Sequence, residues 1–181
     1  MPSAARLRPW RGDDAEDIAI MTADPHIRRW SSMGDDPVAW VQRQRSGTRG
    51  PSRAICLPDD DRALGKIALR LPRHASPATT CEAVPTSDRP AGELSYWLVP
   101  AARGRGLAGA AVIAMLATEV PGSAMRSVIL DIEETNATSI RLAERLGAQR
   151  REPSRVEIDR TGEPRRMVVY VLPNTLPTSW R

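Results

Sequence analysis

A chain of 181 residues, 41% hydrophobic and 27% charged, is long enough for one domain with a sizeable core and too short for two full catalytic domains. Its 26 Lys and Arg against 22 Asp and Glu leave a net charge of +4, which suits a polyanionic cofactor but is too mild to argue for nucleic acid. No stretch approaches the ~20 apolar residues of a bilayer span, and the first seven residues have no signal-peptide core, so a soluble, cytoplasmic protein without a membrane partner is expected.

Nearly all the positive charge is arginine, since Lys66 is the single lysine. Cys56 and Cys81 lack the close pairing of metal or redox motifs, and His26 and His74 are too few for a His-rich centre. Reduced thiols and no metal are expected.

Leu7-Arg8-Pro9-Trp10 reads as a short edge strand, because proline breaks an interior ladder. Asp13 or Asp14 caps a helix through Met21, Pro25 to Trp30 forms a second, and Asp36-Pro37 starts a third through Trp40 and Val41. Arg53 to Leu57 reads as a strand, Asp59 to Arg62 as an acidic turn, and Leu64 to Leu71 as the hairpin partner. Residues 72–91, with four prolines among Ser, Thr and Ala, read as a long surface loop.

The stretch that organises the rest is Gly92 to Gly109, a strand and a glycine-rich turn, followed by a helix from Leu107 to Val120. Alternation puts Glu93, Ser95 and Trp97 on one face of the strand and Leu94, Tyr96 and Leu98 on the other. A turn of this kind, opening a buried helix, leaves backbone N–H groups uncovered for a pyrophosphate. Ser127 to Ile132 reads as a central strand, and Asn136 to Ser139 opens a last helix closed by Gly147. Arg155 to Ile158 and Met167 to Leu172 then pair as a hairpin whose arginine-rich face is solvated, and residues 173–181 form a loose tail. The order of elements defines an α+β class, a mixed sheet with one parallel crossover at the glycine-rich turn. The same glycines also satisfy Gly104-x-Gly106-x-x-Gly109, a dinucleotide fingerprint, with Asp131 or Glu133 near the expected offset for a ribose contact. Against that rival, only one strand–helix pair follows, and Pro100 to Arg103 intervenes before the glycines.

These residues resemble the GCN5-related N-acetyltransferases (GNAT), and within them the ribosomal-protein alanine acetyltransferase-like branch. Arg103-Gly104-Arg105-Gly106-Leu107-Ala108 is similar to the family's acyl-CoA signature. Gly92 to Trp97 resembles its preceding strand, with Ser95 where Gly is common. Asn136-Ala137-Thr138-Ser139 to Glu144-Arg145-Leu146-Gly147-Ala148 resembles its Asn-x-x-Ser to Glu-Lys-Leu-Gly-Phe helix, with Ala148 in place of Phe. The opening Leu7-Arg8-Pro9 with Asp13-Asp14-Ala15 is similar too, so the resemblance covers residues 6–172. It implies a single GNAT-like domain over 1–172, with a mostly antiparallel central sheet of about six to seven strands flanked by helices.

The resemblance also implies the chemistry: direct transfer of an acetyl group from acetyl-CoA to a primary amine, on a peptide N-terminus or a small molecule. Arg103, Gly104, Arg105, Gly106, Leu107, Ala108 and Gly109 would hold the pyrophosphate, with the side chains of Arg103 and Arg105 equally readable as surface charges. Glu93 would act as general base, through water, because an amine must lose its proton before it attacks a thioester. Leu98 and Val99 would pair with pantetheine through their backbone, one N–H there polarising the thioester carbonyl. Asn136 would contact the pantetheine arm and Ser139 protonate the leaving thiolate. Many relatives use a Tyr where this chain has Ala143. Trp30 and Trp40, with Arg28 and Arg29, would wall the amine cleft, with aromatic packing as the default reading, and Trp30 and Trp97 are the candidate substrate contacts. A non-catalytic acyl-CoA-binding module remains an alternative, and neither the acceptor nor the oligomeric state, monomer or homodimer, is readable.

Overall fold

The computed structural model describes residues 5–30, 36–74 and 77–173. Its strands are β1 (Arg6–Arg8), β2 (Ser52–Leu57), β3 (Asp60–Arg70), β4 (Ala91–Leu98), β5 (Ser127–Glu133), β6 (Gln149–Ile158) and β7 (Pro164–Pro173). They hydrogen-bond in the order β1-β2-β3-β4-β5-β7-β6. The α-helices among the described residues are α1 (Asp14–Met21), α2 (Pro25–Trp30), α3 (Pro37–Ser46), α4 (Pro77–Thr80), α5 (Leu107–Glu119) and α6 (Ala137–Arg145). Strands β4 and β5 run parallel, while β1–β2, β2–β3, β5–β7 and β6–β7 are antiparallel. This is the mixed α+β sheet expected, and a doubly wound dinucleotide domain, which needs successive parallel neighbours, is ruled out. Two compact units divide the residues, Met1–Ala68 with Tyr96–Leu116 and Leu69–Ser95 with Ala117–Arg181. From residue 174 onward the tail lies outside the described residues.

In the first unit the front helices bury Ile18, Met21, Ile27, Trp40 and Val41 against Ala54, Cys56 and Ala63 of the sheet. Trp10 meets Trp40 edge to face at 5.0 Å between centroids, and its indole N–H donates to Ser52 Oγ at 3.1 Å. Such a pair adds about 0.5–1.5 kcal/mol beyond the area it buries. Asp36 caps α3 by accepting the Ala39 N–H at 2.9 Å. At α1 the two aspartates divide differently. Asp13 stands at the N-cap without a side-chain cap bond, while Asp14 is buried and accepts from Arg8 at 2.8 and 2.5 Å and from the Arg11 N–H at 2.7 Å. The buried guanidinium needs that partner, because an uncompensated charge there would be strongly destabilising.

The β2–β3 turn is tighter than its acidic composition suggests. Leu57 pairs with Asp60 across Pro58-Asp59, so Asp60, Asp61 and Arg62 begin β3 instead of forming a loop. Exposed charge is tolerated at this strand end because Arg6 and Arg11 pair with Asp61.

In the second unit β5 is buried on both faces, with Ile129 and Leu130 at 0% and 1% exposure, as a central strand requires. The 72–91 segment is not the surface loop expected. It forms helical turns at Pro72–His74, α4 and Thr86–Asp88, and puts Ala78, Ala83, Val84 and Ala91 in a core with Ile129, Val169 and Val171. Pro72 and Pro77 open helical turns, where a missing N–H costs nothing, and the alanines are small enough to approach the sheet. Arg89 ties the segment down by donating to the Thr80 and Cys81 carbonyls at 3.1 and 2.8 Å. Strand β6 also starts earlier than expected, at Gln149, and its register shifts between Arg151 and Arg155, around Glu152-Pro153.

Candidate functional site

In the first unit the end of β4 is held hard against β3. A Cβ on Gly65 would lie 2.3 Å from the Trp97 carbonyl and 2.7 Å from Leu98 Cδ2, so only glycine lets the two backbones approach. The Val99 N–H donates to the Leu64 carbonyl at 2.9 Å, and the Val99 carbonyl accepts from the Ala102 N–H at 3.0 Å. Of the two backbone positions expected to face pantetheine, Val99 already gives its N–H to β3. Leu98 keeps the candidacy for an oxyanion donor, with its side chain buried in the core.

A helical turn at Pro100–Ala102 leads to Arg103, whose Nε donates to the Leu98 carbonyl at 3.0 Å and whose Nη2 donates to Asp24 Oδ2 at 2.6 Å. Asp24 also accepts the His26 N–H at 2.8 Å, at the start of α2. Burial pushes the Asp24 carboxyl up, but the His26 N–H and Arg103 outweigh it and hold it below its ordinary value. The Arg103 side chain thus braces the turn on the protein itself, whereas Arg105 is exposed.

Gly104 and Gly106 both take positive φ, +74° and +79°, and nothing lies within 4 Å of a Cβ placed on Gly104. The first helical bond of α5 runs from the Ala110 N–H to the Gly106 carbonyl at 3.1 Å. The N–H groups of Leu107, Ala108 and Gly109 precede it and have no acceptor within the helix. Fully buried Leu107 pins the helix start, and the helix dipole adds partial positive charge there. The arrangement suits a phosphate oxygen.

Elsewhere in this unit Trp40 packs in the core, the default reading of it from the sequence, at 1% exposure between Trp10 and Trp97, with the Lys66 ammonium 5.9 Å from its ring centroid. Trp97 is half-buried on the same cluster, and Trp30, at 39% exposure, faces solvent.

In the second unit Glu93 occupies the last rung of the β4–β5 ladder, which runs from Ala91↔Ser127 to Glu93↔Ile129. Its Oε2 accepts from Arg70 Nη1 at 3.2 Å, and the side chain retains 17% exposure. Two residues beyond Ile129, Asp131 presents to the same face and is gripped by both Nη atoms of Arg155, one at 2.6 Å. Arg155 also reaches Glu157 Oε2 at 2.9 Å. The bond to Asp131 holds the Arg155 guanidinium charged, while burial, then Asp131 and Glu93, push the Glu157 carboxyl above its ordinary value. Asp131 and Glu133, the ribose candidates of the dinucleotide reading, are thus engaged by Arg155 and, at 4.0 Å, by Arg165.

Asn136 caps α6, its Oδ1 accepting the Ser139 N–H at 3.1 Å. That bond uses one acceptor lone pair and leaves the amide NH₂ out of the cap. The Ser139 side chain is half-buried, and among the described residues its hydroxyl makes no protein hydrogen bond. Ala143, at the position where the resemblance would place a Tyr, is 0% exposed. The second unit's one tyrosine, Tyr170, is buried and donates to Glu144 Oε1 at 3.1 Å. Sequence reasoning missed Arg70, Asp131, Arg155 and Glu157 as neighbours of the candidate base. The signal was the alternation of Arg155 with Glu157 opposite Asp131 and Glu133 at the end of β5, which reads as a solvated face until β7 is seen to lie between them.

Among the described residues no group of His, Cys, Asp and Glu could hold a metal ion, and no helix is long and apolar enough to cross a membrane.

The chain belongs to the acetyltransferase (GNAT) domain family, whose model matches residues 5–149. Similar solved structures include a GNAT-family acetyltransferase from Bacillus anthracis, 17% identical over 96% of this chain and 97% of that one, with a TM-score of 0.72. A Vibrio cholerae protein provisionally named a ribosomal-protein-serine acetyltransferase is 18% identical over 94% of each chain, with a TM-score of 0.69. NAA60 of Arabidopsis thaliana, solved in complex with acetyl-CoA, is 18% identical over 94% of this chain and 99% of its own, with a TM-score of 0.64. At these identities the likeness is one of fold. A comparison with curated protein sequences returns no match.

Proposed function

We propose that this protein is an N-acetyltransferase that moves the acetyl group of acetyl-CoA directly to a primary amine, a peptide N-terminus or a small amine. The observation that carries this reading is the Arg103–Gly109 turn. Two positive-φ glycines and three N–H groups without helical acceptors open α5 in a chain of this family. Acetyl-CoA, when bound, supplies an activated thioester and a pyrophosphate handle.

Glu93, or a water it holds, accepts the proton of the amine, and Arg70 keeps its carboxylate oriented. The Leu98 N–H steadies negative charge on the carbonyl oxygen. Ser139, whose hydroxyl is not committed elsewhere among the described residues, returns a proton to sulfur. Neither cysteine is needed: Cys56 is buried and Cys81 bonds the Ala78 carbonyl at 3.2 Å.

The Vibrio cholerae neighbour's named target, a ribosomal protein, favours ribosomal-protein peptides as the first acceptors to test. Glu93→Gln is expected to lower kcat/KM by on the order of 10²–10⁴ with acetyl-CoA affinity intact, and Ser139→Ala to lower kcat. Unchanged turnover in both folded variants would refute the assigned roles.

A further inference from the structure

Charged side chains from several elements face one another in the second unit. Glu93 on β4 meets Arg70 on β3. Asp131 on β5 meets Arg155 on β6, which also holds Glu157. The Cys81 thiol, after α4, lies near enough to Arg155 to act on it electrostatically. Glu133 and Asp159 share Arg165 and close a separate group. Among the described residues, then, Glu93 pairs with Arg70, while Asp131 and Glu157 share the Arg155 guanidinium.

We propose that Arg155 is a positioning residue for the acid–base step: by gripping Asp131 and Glu157 it matches their negative charge with a guanidinium, so that neither is directed at Glu93. This rests on the reading of Glu93 as the base. The geometry supports it. Arg155 contacts carboxylates on both sides, with a two-pronged grip on Asp131, and its side chain is only 20% exposed. Limited exposure keeps the charges from being screened by solvent. Asp131 lies two residues beyond Ile129, the partner of Glu93 in the β4–β5 ladder, and Glu93 is among the charges that hold the Glu157 carboxyl above its ordinary value, so loss of the guanidinium leaves two carboxylates unmatched beside the base.

The test is the pH dependence of kcat/KM, with one acceptor amine throughout so that the amine's own ionisation is common to every curve. In Arg155→Met the acid limb is expected to move up by about 0.5–1 pH unit, the size expected for one charge removed at this range. Arg155→Lys keeps most of the native profile. Glu157→Gln alone moves the limb the other way, and it serves as the readout if Arg155→Met does not fold. Adding Glu157→Gln to Arg155→Met brings the limb part of the way back. An acid limb that superimposes on the native one in Arg155→Met, or that does not move in Glu157→Gln, overturns the proposal. Glu93→Gln in parallel separates the two readings: full activity there defeats the assignment of the base, whereas an inactive Glu93→Gln with unmoved limbs defeats only the role of Arg155.

Discussion

Glu93 ends the β4–β5 ladder with Arg70 on one oxygen, and Asn136 shows how a single residue can serve two roles. The Asn136 Oδ1 caps α6 while its NH₂ stays out of that bond. Asn136→Ala is therefore expected to cost about 1 kcal/mol of stability, whereas Asn136→Asp keeps the cap. If the NH₂ contacts the pantetheine arm, Asn136→Asp weakens acetyl-CoA binding by roughly 3–10-fold at native stability. Calorimetric titration with unchanged affinity would leave Asn136 as a cap alone. At this scale the sequence is legible where a residue type and a local position suffice. Asn before a helix and a carboxylate two residues into a strand are of that kind. It is not legible where partners come from distant strands: Arg155 bonds Asp131 across β7, and Val99 gives its N–H to Leu64 on β3.

Among the elements, the turn into α5 is the part of the proposed site most readable in advance, because it sets two glycines at positive φ before an apolar helix. A side chain forced into the Gly104 conformation costs about 1–3 kcal/mol or remodels the turn. Gly104→Val is thus expected to weaken acetyl-CoA binding roughly tenfold or more. Gly162→Val, at φ +86° in the β6–β7 turn with equally open space, is the control that loses stability but not affinity. Equal affinity in both variants would remove the turn from the binding site. Segment 72–91 differs from the surface loop expected of it, and β6 extends ahead of the Arg155 start read from the sequence. Proline and small polar residues signal loop locally, yet Pro77 opens α4, the alanines fill a core, and Glu152-Pro153 is absorbed as an irregularity on an edge strand.

For the whole molecule, the strand order was inferable as a class but not as a register. An apolar β5 and a closing hairpin imply a mixed sheet, whereas the insertion of β7 between β5 and β6 follows from long-range pairing with no local signature. Acid stability also belongs here. Arg6 and Arg11 lower the Asp61 carboxyl from 3.8 to about 2, and Asp159 is held well below its ordinary value by Thr161, Arg165 and the Glu163 N–H. Both carboxyls are depressed on folding, so their contribution is full above about pH 4 and is lost as pH falls through about 2. Urea midpoints should accordingly decline between these values, and less steeply in Asp159→Asn, which is already weakened at neutral pH. An identical slope in the variant would contradict the assignment.

The most direct test of the account is the release of free CoA thiol when the protein is given acetyl-CoA and a panel of peptide and small-molecule amines, with products weighed by mass spectrometry. The account predicts saturable, amine-dependent thiol release, one acetyl group on the amine, and loss of that turnover in Glu93→Gln. Tight acetyl-CoA binding with no amine-dependent release across the panel would contradict it and leave a binding module in its place.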